Sequence, residues 1–146
     1  MRFMMMMIPG VYQGAQGQKA GADFAPTAEA VAAMTKYNEQ LAKAGALVAL
    51  DGLHPPVSGA RVSFKGGKAN VVDGPFAESK EVLGGYWIIK TKSRQEAIEW
   101  AKKVPAEKDD VIEVRQIFDM EDFPEDVRKA GENKTVQAEI SRHKKA

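Results

Sequence analysis

Two stretches of this chain, Arg2–Ile8 and residues 82–90, are apolar at nearly every position over the length of one strand. A strand with one wet face alternates apolar and polar residues, whereas an unbroken apolar run is covered on both faces. A fold holding two such strands must therefore hide both sides of its sheet. The first run ends at once in Pro9-Gly10, which makes it too short for a membrane span or the core of a signal peptide. Met4 to Met7 would suit an adaptable thioether surface, but their place in a short buried run points instead to core packing.

The remaining segments place these strands in order. Residues 11–26 are rich in Gly, Gln and Ala without a sustained period, so they read as a long loop of the kind that often covers a binding site. Thr27 is an N-cap candidate. Val31, Met34, Tyr37 and Leu41 then recur at helical spacing, and Gly45 supplies the stop. Residues 46–53 form a second apolar strand, ended by His54-Pro55-Pro56. Residues 60–65 and 68–73 flank Gly66-Gly67, the signature of a hairpin turn that needs positive φ. Gly84-Gly85 inside the 82–90 strand suggests a bulge or a close backbone approach. Ser93 and Glu96 make a capping box, and Ala97, Ala101 and Val104 share one helical face with either Ile98 or Trp100. Residues 111–118 alternate, with Ile112, Val114 and Phe118 on one face and Glu113 and Arg115 on the other.

With the hairpin set aside, the order is strand, helix, strand, strand, helix, strand. That is the ferredoxin-like α+β pattern, βαββαβ with an inserted β-hairpin, expected here as a mixed, mainly antiparallel sheet with both helices on one face. Two helices cover only one side, so the doubly apolar strands call for a second surface. A homodimer joining two sheets face to face, a dimeric α/β barrel, is the expected solution. Residues 1–123 make up the domain. Residues 124–146 form a polar, basic tail with too few large apolar side chains to offset its own ordering, expected to be mobile or weakly helical.

The 146-residue length fits one domain, and 21 basic against 20 acidic residues leave a net charge of +1. So balanced a chain lacks the field of a nucleic-acid binder, and Gly84-Gly85-Tyr86-Trp87 lacks the alternating aromatic and basic residues of an RNA-recognition strand. The absence of cysteine removes disulfides, thiolate catalysis and cysteine-bound metal, and suits a cytoplasmic protein with no membrane partner. No phosphate-binding loop, metalloprotease helix or nucleophile elbow is present. Neither a metal site nor a cofactor is expected.

The segment Asp73-Gly74-Pro75-Phe76-Ala77-Glu78-Ser79-Lys80-Glu81, followed by Gly84-Gly85-Tyr86, resembles the signature of the YCII-related family, in its DGPF-type branch. Asp51-Gly52-Leu53-His54-Pro55 resembles that branch's Gly-Leu-x-Pro turn. Glu96-Ala97-Ile98-Glu99-Trp100-Ala101 resembles its second helix, and Ile112-Glu113-Val114-Arg115 its last strand. The resemblance spans residues 1–123. It implies a ferredoxin-like fold assembled as a dimeric α/β barrel, an activity largely undefined, a proposed catalytic His–Asp pair in the superfamily, and association of many members with extracytoplasmic-function sigma factors.

His54 and Asp73 are the acid–base candidates, and Glu78, Lys80 and Arg115 the ligand-binding candidates. His54 offers an imidazole that could shuttle a proton and stands on a turn stiffened by Pro55; as a purely structural residue it would bond a nearby carbonyl or water. Asp73 can equally cap its own turn, Glu78 can face a helix N-terminus, and Arg115 can pair with a carboxylate. Tyr86 and Trp87 must point to opposite faces, with core packing their default. Two functions follow as expectations. One is a small-molecule-binding homodimer with acid–base activity. The other is a non-catalytic regulatory module acting on a sigma-factor partner.

Overall fold

The computed structural model describes residues 1–14, 20–76 and 81–143. Its strands are β1 (Arg2–Ile8), β2 (Leu47–Gly52), β3 (Ala60–Lys65), β4 (Lys68–Asp73), β5 (Gly85–Lys90) and β6 (Val111–Ile117). The helices are α1 (Ala28–Lys43), α2 (Arg94–Ala101), α3 (Glu125–Gly131) and α4 (Lys134–His143). Four strands make one sheet in the order β2-β5-β1-β6, and β3-β4 stand apart as a two-stranded hairpin. This is the ferredoxin-like α+β arrangement.

The sheet is antiparallel at each of its junctions, not mixed. Each strand–helix–strand unit does run its two strands parallel, but the crossover skips one position. β5 enters between β1 and β2, and β1 lies between β5 and β6, so the parallel strands never touch.

The helices form where the sequence carries their caps. Thr27 Oγ1 accepts from Ala30 N at 3.2 Å, opening α1. At its other end Ala46 N donates to Leu41 O and Gly45 N to Ala42 O, with Gly45 at φ +67°, the paired bonds that satisfy a helix's last carbonyls. Ser93 Oγ accepts from Glu96 N at 3.2 Å, while Glu96 Oε2 reaches back to Lys92 N at 2.8 Å. Both helices lie on one side of the sheet. Phe3, Met5, Trp87 and Ile89 meet Tyr37 and Leu41 of α1 and Ala97 of α2 there, and Trp100 rather than Ile98 completes the α2 face. Tyr37 packs edge-on against Trp87 and Trp100, and its hydroxyl donates to Trp100 O at 3.0 Å.

The opposite face carries Met4, Met6 and Ile8 of β1 beside Tyr86 and Ile88 of β5. Met6 and Ile8 are buried within this one chain, whereas Met4, Tyr86 and Ile88 are half-buried. Less of this face is open than two doubly apolar strands would suggest.

Two strand boundaries differ from the sequence reading as follows. β5 begins at Gly85 rather than residue 82, because its neighbour β2 ends at Gly52, directly opposite Gly85. β6 stops at Ile117, because β1 begins at its partner Arg2. Phe118 consequently leaves the buried face of β6, is exposed, and stacks on Phe123 at 4.8 Å. The polar tail is helical in α3 and α4, with no residue of either helix buried.

Candidate functional site

Glycines open the fold at the end of the sheet where β2 finishes and β5 begins. Gly52 pairs with Gly85, and Leu53 N donates to Gly84 O at 2.9 Å. A Cβ on Gly84 would fall 2.6 Å from Pro9 Cγ, and one on Gly85 would fall 2.9 Å from Asp51 O. The glycine pair marks close backbone approach. Gln13 closes the same junction from the other side. Its amide donates to Pro9 O (2.8 Å) and Val82 O (3.1 Å), and its carbonyl accepts from Val82 N (3.0 Å).

Two hollows adjoin this glycine-bare strand end. A cleft of about 270 Å³ is lined by Tyr12, Phe24, Pro26, Leu53, His54 and Pro55. A smaller cavity of about 150 Å³ is lined by Met34, Asn38, Leu50, Asp51, Tyr86 and Trp87, and Gly52 borders both. Tyr12 is buried and meets Phe24 edge-on at 5.7 Å, so the long loop after β1 supplies an ordered aromatic wall. His54 is exposed and, among the described residues, is the one titratable side chain of the cleft apart from the Tyr12 phenol, which burial pushes above its ordinary pKa.

On the open face of β2 and β5 the Tyr86 hydroxyl donates to Asp51 Oδ2 at 2.7 Å. That hydrogen bond and the carboxylate's charge hold the phenol in its neutral form, raising its pKa. On the helix side Trp87 Nε1 donates to Asn38 Oδ1 at 2.8 Å. Tyr86 and Trp87 therefore do face opposite sides of β5.

The other candidates are distributed around the fold. Asp73 ends β4 and is exposed; among the described residues its carboxylate has no side-chain hydrogen bond. The hairpin base nevertheless rests on the turn that follows His54. Gly74 N donates to Gly59 O at 2.8 Å, and a Cβ at Gly74 would lie 1.8 Å from Pro56 O. His54 and Asp73 thus belong to the same end of the molecule without bonding each other. Arg115 does not join them. It is exposed on β6, weakly paired with Glu113 at 3.8 Å, on the sheet edge opposite β2. Three strand spacings, roughly 14 Å, separate those edges. Glu78, Lys80 and the short helical turn expected at Glu78 lie outside the described residues.

Tyr12, Phe24, Asn38 and the Asp51–Tyr86 pair are the site residues that sequence reasoning missed. The usable signal was the glycine set at positions 52, 84 and 85, which marks a strand end stripped of side chains. Tyr12 and Phe24 come from an aperiodic loop and carry no signal of their own. Among the described residues no three His, Asp or Glu side chains converge to hold a metal ion, and no helix is long and apolar enough to cross a membrane.

The sequence model of the YCII-related domain matches residues 1–121. A protein of Rhizobium meliloti (strain 1021) described as uncharacterized protein R00369 is 38% identical over 69 residues, covering 47% of this chain and 56% of that relative. The chain thus spans little more than half the length of that relative.

Proposed function

The chain belongs to the YCII-related family, and from that premise we propose that it is a homodimer that binds a small molecule in the cleft beside His54 and uses the imidazole for proton transfer. One observation carries the reading: an ordered cleft with aromatic and proline walls presents a histidine from a stiff turn. Ligand sites are mostly apolar concavities with a few placed polar groups, and at about 270 Å³ this one sits near the small end of the usual range. No Lys or Arg is among its described lining residues, so the fitting ligand is a compact, largely apolar molecule with one hydrogen-bonding or weakly acidic group. Neutral imidazole can give and take a proton near pH 7, which suits general acid–base work on such a group. Asp73, held at the hairpin base near the same turn, is the proposed second acid–base group.

The test is a thermal-shift screen of small carboxylic acids, phenols and enols, with the His54 ring followed by NMR. The expected result is a compound that raises the melting temperature and moves the His54 ring resonances, with both effects lost in His54→Gln. Hits that leave His54 silent would overturn the site. Failure of every compound, with the fold intact, would favour the regulatory module over the small-molecule reading.

A further inference from the structure

The β3–β4 hairpin is unlike the rest of the fold, because its large apolar side chains all stay exposed. Register places Val62 opposite Val71 and Phe64 opposite Ala69 on one face. On the other face lie Arg61 with Val72, Ser63 with Asn70, and Lys65 with Lys68. Val62, Phe64 and Val71 are 54%, 78% and 62% exposed. An isolated two-stranded hairpin is at best marginally stable in water. Among the described residues the contacts that hold it lie at its base: the Gly74–Gly59 bond, the seating of Gly74 on Pro56, and Arg61 over the Phe76 ring at 4.1 Å. The turn itself is well made, with Gly66 and Gly67 at φ +58° and +76°. The chain therefore holds out an arm, roughly 20 Å long, with an apolar side facing water whose one charge, Asp73, lies at the base.

We propose that this arm clasps a second copy of the chain, seating Val62, Phe64 and Val71 on the partner and extending the contact between open sheet faces. The proposal rests on the homodimer reading above and adds where most of its binding surface lies. Area favours this occupant. On the open sheet face Met6 and Ile8 are already buried and Met4 and Ile88 are half-buried, so the sheet alone presents little fresh apolar surface. The three arm residues expose roughly 300 Å². Two arms and the surfaces they cover come to roughly 1,200 Å², the lower bound of a specific stable interface. Charge placement agrees. Dimer interfaces exclude charge from their centre and tolerate it at the rim. Here Arg61, Lys65 and Lys68 all occupy the other face or the tip, and Asp73 stands at the base. Twofold symmetry makes each arm serve both protomers alike.

The chain contains no cysteine, so a single reporter thiol can be placed at will. Sedimentation equilibrium compares the wild type with the Phe64→Lys/Val71→Lys double variant. Separately, Ala69→Cys carrying benzophenone-maleimide is photolysed in a mixture of ¹⁵N-labelled and unlabelled chains. The expected result is a wild-type dimer, a dissociation constant raised at least roughly thirtyfold in the double variant, unchanged near-ultraviolet circular dichroism from the Trp87 core, and label-mixed crosslinks from position 69. A wild-type dimer with unchanged affinity in the variant and only intrachain crosslinks would overturn the arm and leave the sheet contact standing. A wild-type monomer at tens of micromolar would overturn both. Should the double variant misfold, the crosslinking of Ala69→Cys decides alone, mixed products supporting the arm and intrachain products refuting it.

Discussion

Tyr37 shows what one side chain does in a core of this size. Its ring is wedged between Trp87 and Trp100, and its hydroxyl reaches Trp100 O across from α1 to α2. Burial disfavours the phenolate and pushes the Tyr37 pKa far above its ordinary value. Below pH 10 the phenol is neutral in folded and unfolded chains alike, so no stability depends on its titration there. Above pH 10 the unfolded chain sheds the proton first and gains the free energy of doing so. Stability is then lost as the pH climbs toward the folded value, by about 1.4 kcal/mol one unit above 10. Tyr37→Phe removes that loss but also removes the hydroxyl's bond to Trp100 O, which keeps Lys103 N as its donor, at about 1 kcal/mol. Urea melts should therefore find the variant weaker than wild type at pH 8, with the gap closing at pH 11. A constant gap would mean that the phenol ionises in the folded chain as easily as in the unfolded one. Tyr37 was legible as a core residue from helical spacing, since positions 37 and 41 both turn inward on α1. The Asp51–Tyr86 hydrogen bond was not, because it joins two strands whose register no local pattern discloses.

At the scale of elements, the parts that announce themselves locally are the parts read correctly. Thr27, Gly45, Ser93 with Glu96, and Gly66-Gly67 each satisfy orphan backbone groups or adopt positive φ with residues suited to the task. Removing the Ser93 hydroxyl with Ser93→Ala should cost about 1 kcal/mol, read as a lower urea midpoint at unchanged slope. Strand ends were misjudged for the converse reason. Where β5 begins and β6 stops is decided by the ends of neighbouring strands, β2 at Gly52 and β1 at Arg2. The alternation through Phe118 continues past the point where a partner exists to make it structural. The hairpin base is a tertiary feature of the same sort, with Gly74 pressed against Pro56. Gly74→Ala would drive a methyl group into the Pro56 carbonyl, and the clash should cost about 1–3 kcal/mol. Amide exchange should locate the loosening in β3 and β4 while the four-stranded sheet stays protected. Uniform loss of protection across the sheet would instead make the hairpin base part of the main folding unit.

For the whole molecule the question is what meets the uncovered side of the sheet. α1 and α2 close one face, the Arg2–Asp119 ion pair (2.7 Å) ties down the chain just after β6, and α3 and α4 follow as exposed helices. Met4, Ile88 and Ala49 sit side by side on the remaining face, half-buried and uncharged, with Glu113 and Arg115 of β6 at the rim. Lysine at position 88 tests whether that face is wet or covered. On a solvated face the long stem can lie along the sheet and place its ammonium in water, so Ile88→Lys should change stability by less than about 1 kcal/mol. Between two sheets each ammonium would be desolvated opposite its symmetry mate, and association would be lost. Mass action supplies the readout. A dimer that forms only from folded protomers melts at a temperature that rises with protein concentration, whereas a monomer does not. The expected outcome is a concentration-dependent melting temperature for the wild type and a concentration-independent one for Ile88→Lys, with the variant's far-ultraviolet circular dichroism intact. Concentration dependence surviving in the variant would place the contact away from this face, and its absence from both proteins would leave the sheet facing water.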